Sequence, residues 1–256
     1  MSTWADLDAE LARWVDSGRI TEVWWRDDDA VAATPALERL LKARRTHDVG
    51  LGLAVIPASI RPSLPQRLRD EASDVVVLQH GYAHQNHAPP GEKKIELGAH
   101  RPAPTVIGEL GTGQMALAQA FGDRFLPALV PPWNRIAPGL VPALPDIGYR
   151  ALSAFGLRTR VEPVRGLRQV NTHLDPIDWR GHCGFVGVDA ALADLVHQLR
   201  LRRLAATAPA TVEPIGLLTH HLVHDDDVWT FLDHLWNRLR AHPGVRIVAP
   251  TQIFRS

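Results

Sequence analysis

Carboxylates and histidines cluster where two apolar segments of the chain end. The acidic run Asp27-Asp28-Asp29 follows a short apolar strand, with Arg26 directly before it, and His80 and His84 follow the apolar residues 75–79. Three consecutive carboxylates repel one another and need a positive partner, such as a metal ion or Arg26. Two histidines four residues apart can face one ion when the segment is helical or turned. The alternatives are a solvated acidic loop and two loop histidines bonded to backbone carbonyls.

Two proline-containing segments are candidates for the walls of a pocket. In residues 130–135, Pro131 and Pro132 fix the backbone, so that Trp133 is held rigidly. The alternative is a rigid turn that places Trp133 in the core. Residues 175–179 contain an Asp-Pro turn and a second tryptophan. Taken alone, this segment indicates only a turn before a short strand.

A histidine also follows the last strongly apolar run of the chain. His220 comes directly after residues 217–219, where an imidazole is well placed for proton transfer. The neighbouring His221 is an alternative to His220. Three acidic residues follow, and we expect Asp226 and Asp227 to cap the next helix, because a helix N-terminus favours negative charge.

The elements that must position these residues alternate along the chain. Apolar runs predict strands at 22–26, 49–56, 74–79, 125–130, 213–219 and 245–249. Periodic patterns and caps predict helices at 3–15 (or to about 17), 35–46, 64–73, 105–121, 189–206 and 227–240. Repeated strand–helix units imply an α/β fold with a parallel sheet and helices outside it. In such folds the chemistry lies at the carboxyl ends of the strands, where the polar clusters fall.

Composition excludes several classes of function. The 28 basic and 28 acidic residues give no net charge, so nothing attracts the chain globally to nucleic acid or to an anionic membrane. A single cysteine cannot form an intramolecular disulfide. The N-terminal residues are acidic where a signal peptide is basic, and no apolar stretch approaches a membrane span of about 20 residues. We therefore expect one cytoplasmic domain over residues 1–256 that binds neither nucleic acid nor membrane.

Taken together, the clusters resemble the polysaccharide deacetylase family, also called carbohydrate esterase family 4. The motifs of that family are an Asp-Asp pair, a His-Ser/Thr-x-x-His pair, an Arg-x-Pro-Tyr/Trp segment, an Asp-x-x-Asp/Asn-Trp segment and a Leu-x-His. Their counterparts here occur in the same order, from the first strand to His220. They are Asp28-Asp29, His80-Gly81-Tyr82-Ala83-His84, Val130-Pro131-Pro132-Trp133, Asp175-Pro176-Ile177-Asp178-Trp179 and Leu218-Thr219-His220.

The resemblance implies a distorted (β/α)7 barrel and a metal-dependent hydrolase. It implies a divalent metal, with Zn²⁺ the first choice and Co²⁺ or Ni²⁺ the alternatives, on the ligands Asp29, His80 and His84. Such a metal activates water and polarises an acyl carbonyl. Asp28 is then the general base and His220 the general acid, and a backbone N–H near Trp133 helps to stabilise the oxyanion. The residues expected to contact substrate are Arg26, Pro132, Trp133, Asp178 and Trp179.

The acidic run leaves its register open. Alignment from Arg26, two residues before the catalytic position, gives Asp28 as base and Asp29 as ligand. Alignment from the helix start at Thr34 instead gives Asp27 and Asp28. We prefer the first register, because a motif at the end of a strand is best aligned from that strand.

Two other positions depart from the family pattern. Val130 replaces the arginine that helps to tune the base, so Arg26 or Arg135 must take over that role. Gly81 replaces the Ser/Thr after the first motif histidine and removes a hydroxyl from the metal loop. Both changes are the motive for one alternative function, a carbohydrate-binding relative without catalysis.

The function that the sequence favours is removal of N- or O-acetyl groups from a sugar or glycan. A second possibility is a hydrolase of the same fold that cleaves another C–N bond in a small cytosolic amide. A two-metal phosphoesterase is disfavoured, because it needs more ligands around two ions about 4 Å apart. A second site from His221, His224 and Asp225 has a spacing equally typical of a loop. The oligomeric state is left open.

Overall fold

A parallel sheet forms the centre of the molecule in the computed structural model, which describes residues 1–205 and 212–254. Its strands are β1 (Thr21–Ala30), β2 (Leu51–Val55), β3 (Val75–His80), β4 (Phe125–Val130), β5 (Ala151–Leu152), β6 (Arg168–Gln169), β7 (Ile215–Thr219) and β8 (Val245–Ile247). The strand order is β6-β5-β4-β3-β2-β1-β7, and β8 pairs with the start of β1. The sheet curls into a half-barrel, and a parallel bridge between Leu174 and Leu217 links the segment after β6 to β7. This confirms the predicted α/β class and distorted barrel.

Helices flank this sheet. They are α1 (Trp4–Asp16), α2 (Pro35–His47), α3 (Ser63–Leu68), α4 (Ala103–Phe121), α5 (Val188–Leu204), α6 (Asp226–Ala241) and α7 (Pro250–Phe254). None of them combines the length and the apolar character that a membrane span requires. The predicted end of the fifth helix at Ala206 lies outside the described residues. The third helix is shorter than predicted and ends at Leu68.

Helix capping follows the sequence signal at α2 and corrects it at α6. Thr34 accepts a hydrogen bond from the Leu37 N–H at the start of α2, where Pro35 is the first helical residue. At α6 the cap is Asp225, whose carboxylate accepts the Val228 N–H at 2.9 Å. The expectation that Asp226 and Asp227 cap this helix was wrong, because both lie inside its first turn.

Strand β1 sends alternate side chains to different surroundings, as a pleated strand does. Trp25 packs against Trp236 of α6, with ring centroids 5.3 Å apart, between the sheet and the helices. Trp24 instead lies in a second apolar cluster and meets Phe254 edge-on at 5.3 Å. Both tryptophans of β1 are fully buried. This packing fixes the directions of the next polar side chains, Arg26 and Asp27, as long as the strand remains regular.

The first strand is longer than predicted and contains the acidic run. β1 continues past Arg26 to Ala30, paired with β7 as far as Asp27 and Thr219. Its pairing with β2 shifts register between Asp27 and Ala30. Because carboxylates are rare in buried strands, the strand predicted from residue propensities ended too early, at Arg26. Here hydrogen-bond partners within the fold compensate the burial of these carboxylates.

Candidate active site

The three consecutive aspartates of β1 point in three directions. Asp28 lies on the same face of the strand as Arg26, and Asp27 lies on the opposite face with Trp25. Asp29 has a φ of 72°, in the left-handed region that non-glycine residues rarely adopt. This residue falls where the register of β1 and β2 shifts. The strained backbone turns Asp29 out of the regular alternation, toward His80 at the end of β3 and His84 in the loop after it.

Asp29, His80 and His84 form a group with the geometry of a metal site. One carboxylate oxygen and two imidazole nitrogens lie within 4.8 Å of one another, which is the only such group of three in the part of the chain that the structure describes. Asp29 Oδ1 lies 3.1 Å from His80 Nε2 and 3.4 Å from His84 Nε2. Donors bound about 2.0 Å from a tetrahedral zinc ion are about 3.3 Å apart. The three residues therefore fit one transition-metal ion.

Contacts behind the histidines orient their nitrogens. His80 is the last residue of β3, and its Nδ1 lies 3.0 Å from the carbonyl oxygen of Val130. An Nδ1–H that donates to this carbonyl leaves Nε2 unprotonated and directed at Asp29. His84 has a φ of 55°, and its ring packs 4.4 Å from the ring of Trp133. Both histidines thus present Nε2 to the same carboxylate.

Charge in this cluster favours a bound cation. Burial opposes ionisation of Asp29, but the close contact with His80 and the charges of His80, His220 and His84 hold its pKa well below the ordinary value. Burial likewise opposes protonation of His80, but the charge of Asp28 and the contact with Asp29 raise its pKa. Burial and the charge of His80 lower the pKa of His84, which favours the neutral imidazole that a metal binds.

Asp28 is held by a fully buried arginine. Arg26 Nε and Nη2 donate to the two carboxylate oxygens of Asp28 at 2.9 and 3.0 Å. The same guanidinium donates to the carbonyl and hydroxyl oxygens of Ser153, and to Asn134 Oδ1 at 2.7 Å. The bidentate contact fixes the plane of the Asp28 carboxylate, and the further bonds satisfy the buried cation.

Arg26, rather than Arg135, therefore contacts the predicted base. Arg135 Nη1 donates to the carbonyl oxygen of Lys94 instead. Val130 is fully buried in an apolar cluster, where an arginine has no room. Because Arg26 has no exposed surface, the structure places it beneath Asp28 and not in direct contact with solvent.

A tight turn after β4 presents Trp133 to the site. Pro132–Asn134 form a single helical turn, in which Trp133 and Asn134 have φ values of 53° and 55°. Two adjacent non-glycine residues in the left-handed region are costly, and such strain is concentrated at functional sites. Trp133 is half-buried against His84, and Asn134 contacts Arg26. The turn thus contacts both Arg26, which binds Asp28, and His84.

His220 lies on the other side of the site, beside Asp175 and Trp179. Its Nδ1 is 4.0 Å from Asp175 Oδ2, which is too long for a hydrogen bond. Trp179 Nε1 donates to the same oxygen at 2.8 Å, and the Trp179 ring meets the His220 ring edge-on at 4.7 Å. Burial raises the pKa of Asp175, against the opposing charge of His220. Trp179 is 47% exposed and forms an accessible wall.

Asp178, although predicted to contact substrate, is engaged within its own loop. Its Oδ1 accepts the N–H groups of Arg180 and Gly181 at 3.2 and 3.0 Å. Its Oδ2 lies 3.5 Å from His182 Nδ1. The carboxylate that faces His220 is therefore that of Asp175.

Asp27 and His221 form a buried pair that the sequence did not reveal. His221 Nδ1 lies 2.5 Å from Asp27 Oδ1, and the His221 N–H donates to Asp27 Oδ2 at 3.0 Å. Thr219 Oγ1 donates to the same oxygen at 2.6 Å and accepts from Trp25 Nε1. Burial opposes the charge of His221, but Asp27 raises its pKa. This network anchors the end of β7 and turns His220 toward the site.

The pairing of Asp27 with His221 bears on the two alignments considered for the acidic run, in which the family's Asp-Asp pair is either Asp28-Asp29 or Asp27-Asp28. Asp27 is directed away from His80 and His84, and Asp28 is occupied by Arg26. Asp29 is the member that meets the histidines. In the sequence, Trp25 and Asp27 are two residues apart and would share one face of a strand. This spacing predicts the direction of the Asp27 side chain only if the strand is known to continue past Arg26.

His224 supports the backbone of His220. Its Nε2 accepts the His220 N–H at 3.2 Å, and its ring packs edge-on against Trp229 at 4.6 Å. A nitrogen that accepts a hydrogen bond carries no proton. Burial is the main cause that lowers the pKa of His224, to about 4.

We expect His224 to make the fold acid-sensitive. Below the ordinary histidine pKa of 6.5 the unfolded chain binds a proton that the folded chain resists until about pH 4, so stability falls as the pH falls through this window. One pKa unit corresponds to about 1.4 kcal/mol, so the loss by pH 4.5, two units below 6.5, is about 2.5 kcal/mol. Denaturant unfolding from pH 7 to 4.5 should show this loss in the parent and a smaller one in His224→Gln. Equal pH slopes in both proteins would contradict the assignment.

Comparisons with known proteins identify the fold. No protein-family model matches the sequence, and no curated protein is detectably similar to it. Solved structures do match it: a proposed polysaccharide deacetylase from Mycobacterium smegmatis has 15% identity, covers 93% of this chain and 90% of its own, and has a TM-score of 0.68. The Bc1960 peptidoglycan N-acetylglucosamine deacetylase has 16% identity, coverages of 93% and 89%, and a TM-score of 0.55. A family 4 acetyl xylan esterase from Clostridium thermocellum, solved with a cobalt ion, has 12% identity, coverages of 91% and 90%, and a TM-score of 0.55. The chain therefore has the fold of the polysaccharide deacetylases.

Proposed function

We propose that this chain is a metal-dependent hydrolase that removes N- or O-acetyl groups from a carbohydrate. The observation that carries the proposal is the group of Asp29, His80 and His84. The charge of Asp28 acts on His80, and the charge of His220 acts on Asp29. The matched structures include a deacetylase of N-acetylglucosamine in peptidoglycan and an acetyl xylan esterase, so that both amide and ester substrates occur on this fold.

The proposed metal ligands are Asp29 Oδ1 and the Nε2 atoms of His80 and His84. A divalent transition metal bound there, with Zn²⁺ the first choice and Co²⁺ or Ni²⁺ the alternatives, would polarise the acyl carbonyl and acidify water. Three nitrogen and oxygen donors leave positions for water and substrate. Asp29 Oδ1 is buried without a hydrogen-bond donor, which suits an atom reserved for a cation.

Asp28 is the proposed general base. Arg26 holds both of its oxygens, so that the carboxylate enters the reaction in one orientation. In this role Asp28 takes the proton from the attacking water. Arg26, predicted to bind substrate, is proposed instead to position the base.

His220 is the proposed general acid. It gives a proton to the leaving nitrogen or oxygen of the sugar, and Asp175 orients its ring and stabilises its charged form. The backbone N–H of Trp133 is the proposed donor to the oxyanion. Pro132, Trp133 and Trp179 form the walls for the acetyl group and the sugar, and Asp178 shapes the loop that carries Trp179.

The test is release of acetate by the zinc-loaded protein from N-acetylglucosamine oligomers, acetylated xylo-oligosaccharides and small cyclic amides. We expect acetate from at least one of the two glycans. Ring opening of a cyclic amide without acetate release would favour the alternative C–N hydrolase. Glycan binding without turnover by the zinc-loaded protein would favour the non-catalytic alternative, and either result would contradict the proposal.

A further inference from the structure

Gly81 stands where a side chain has no space. Its φ is +56°, and a Cβ placed on it would lie 2.0 Å from Glu96 Oε2 and 2.5 Å from Pro132 Cγ. Any other residue would displace the Glu96 carboxylate or the turn after β4. The departure from Ser/Thr at this position is therefore coupled to a buried glutamate 15 residues later in the chain.

Glu96 fills this space and binds the backbone of the loop that carries His84. Its side chain is almost fully buried, at 1% exposure. Its carboxylate accepts the N–H groups of Ala83 at 2.7 Å, Tyr82 at 3.1 Å and Gln85 at 3.4 Å. These donors flank His84, whose left-handed backbone makes successive N–H groups converge on one anion. The glutamate thus performs the loop-bracing task that a hydroxyl at position 81 cannot.

The segment around Glu96 is itself fixed to both loops of the site. Leu97 forms a parallel bridge with Ile136, and its carbonyl oxygen accepts the Ala137 N–H at 2.7 Å. On the other side, the carbonyl oxygen of Ile95 accepts the His87 N–H at 3.0 Å. Glu96 is therefore anchored to the chain that leaves the Trp133 turn and to the chain that leaves His84.

Among residues 1–205 and 212–254, no arginine or lysine forms a direct ion pair with Glu96, and Arg101 interacts favourably with its charge only at longer range. A buried carboxylate is costly unless hydrogen bonds or a counter-charge compensate it. Three backbone N–H groups supply part of that compensation. Arg101 contributes a longer-range counter-charge, and a divalent ion bound by His84 would add another, because the charges of His84 and Glu96 already interact.

We propose that Glu96 is a positioning residue of the metal site, which holds the His84 loop in its ligating conformation and adds negative charge beneath it. This inference rests on the proposed metal site. Residues behind the direct ligands typically change metal affinity by about 10–100-fold when they are removed. Glu96 acts through the backbone of its loop and touches neither metal nor substrate.

The experiment compares zinc affinity in Glu96→Ala, Glu96→Gln and the matched control Glu92→Gln. Glu92 lies in the same long loop, but its side chain is 57% exposed and its carboxylate lies 3.5 Å from His100 Nε2. Zinc dissociation constants come from competition with a chromogenic chelator, and Co²⁺ absorption reports the ligand geometry. The melting temperature of each metal-free protein shows whether the variant folds.

We expect Glu96→Ala to weaken zinc binding about 10–100-fold and to shift the Co²⁺ spectrum, with Glu96→Gln between it and the parent. Glu92→Gln should match the parent. If Glu96→Ala does not fold, the zinc affinity and Co²⁺ spectrum of the isosteric Glu96→Gln variant test the inference instead. Parental zinc affinity and an unchanged Co²⁺ spectrum in folded Glu96 variants would overturn the inference alone. Absence of zinc binding by the parent would overturn the proposed metal site and this inference together.

Discussion

Asp28→Asn is expected to lower the rate of acetate release about 10²–10⁴-fold while the zinc content stays at the parent's value. The amide cannot accept a proton from water, and general-base catalysis contributes a factor of this size. Asparagine keeps the shape of the side chain and one acceptor for Arg26, so the site should remain assembled. Single-turnover kinetics and elemental analysis on the same preparation measure both quantities.

The zinc content decides between the two registers of the acidic run. If Asp28 were a metal ligand instead of the base, Asp28→Asn would lose zinc along with activity. Asp226→Asn is the matched control, because its carboxylate is 87% exposed at the surface of α6 and pairs with Arg39. This control should retain full activity. Undiminished acetate release by Asp28→Asn would contradict the assignment of the base.

Arg26→Met is expected to destabilise the fold by about 3–5 kcal/mol. Methionine has a similar length but no charge, so it leaves Asp28 buried without its counter-ion. Breaking a buried pair from one side has a cost of this size, because the remaining charge stays uncompensated. The hydrogen bonds to Ser153 and Asn134 are lost as well. Denaturant unfolding at pH 7, with and without zinc, measures the effect.

Two further variants make this prediction specific. Arg135→Ala removes an arginine of the same region whose guanidinium donates to the carbonyl oxygen of Lys94, and its effect should stay within about 0.5 kcal/mol. Arg26→Met combined with Asp28→Asn should be less destabilised than the sum of the two single variants, because the two side chains interact directly. Additive losses would show that Arg26 acts independently of Asp28.

The fold was predictable because its signals are local. Alternating apolar runs and capped helices specify a parallel α/β sheet without knowledge of which strands pair. The short strands β5 and β6 were not predictable, since two residues carry no period. The length of β1 was missed for a different reason. Three consecutive aspartates are typical of a loop, and only the structure shows that His221 compensates the burial of Asp27 and that Arg26 compensates the burial of Asp28.

The site was predictable only where its residues lie close to the ends of apolar runs and match the motifs of the family. Asp29, His80 and His84 meet both conditions, and the structure brings them together. Glu96 and Asp175 could not be found in this way. Their roles depend on how long loops fold back onto the sheet, which no local spacing encodes.

The measurement that tests the central claim most directly is the metal content of the untagged protein beside the double variant His80→Ala/His84→Ala. The account predicts about one equivalent of a divalent transition metal per parent chain after zinc loading and removal of excess, and none in the double variant. Both proteins should be folded by circular dichroism. A parent that retains no metal, or a folded double variant that retains the parent's full equivalent, would contradict it.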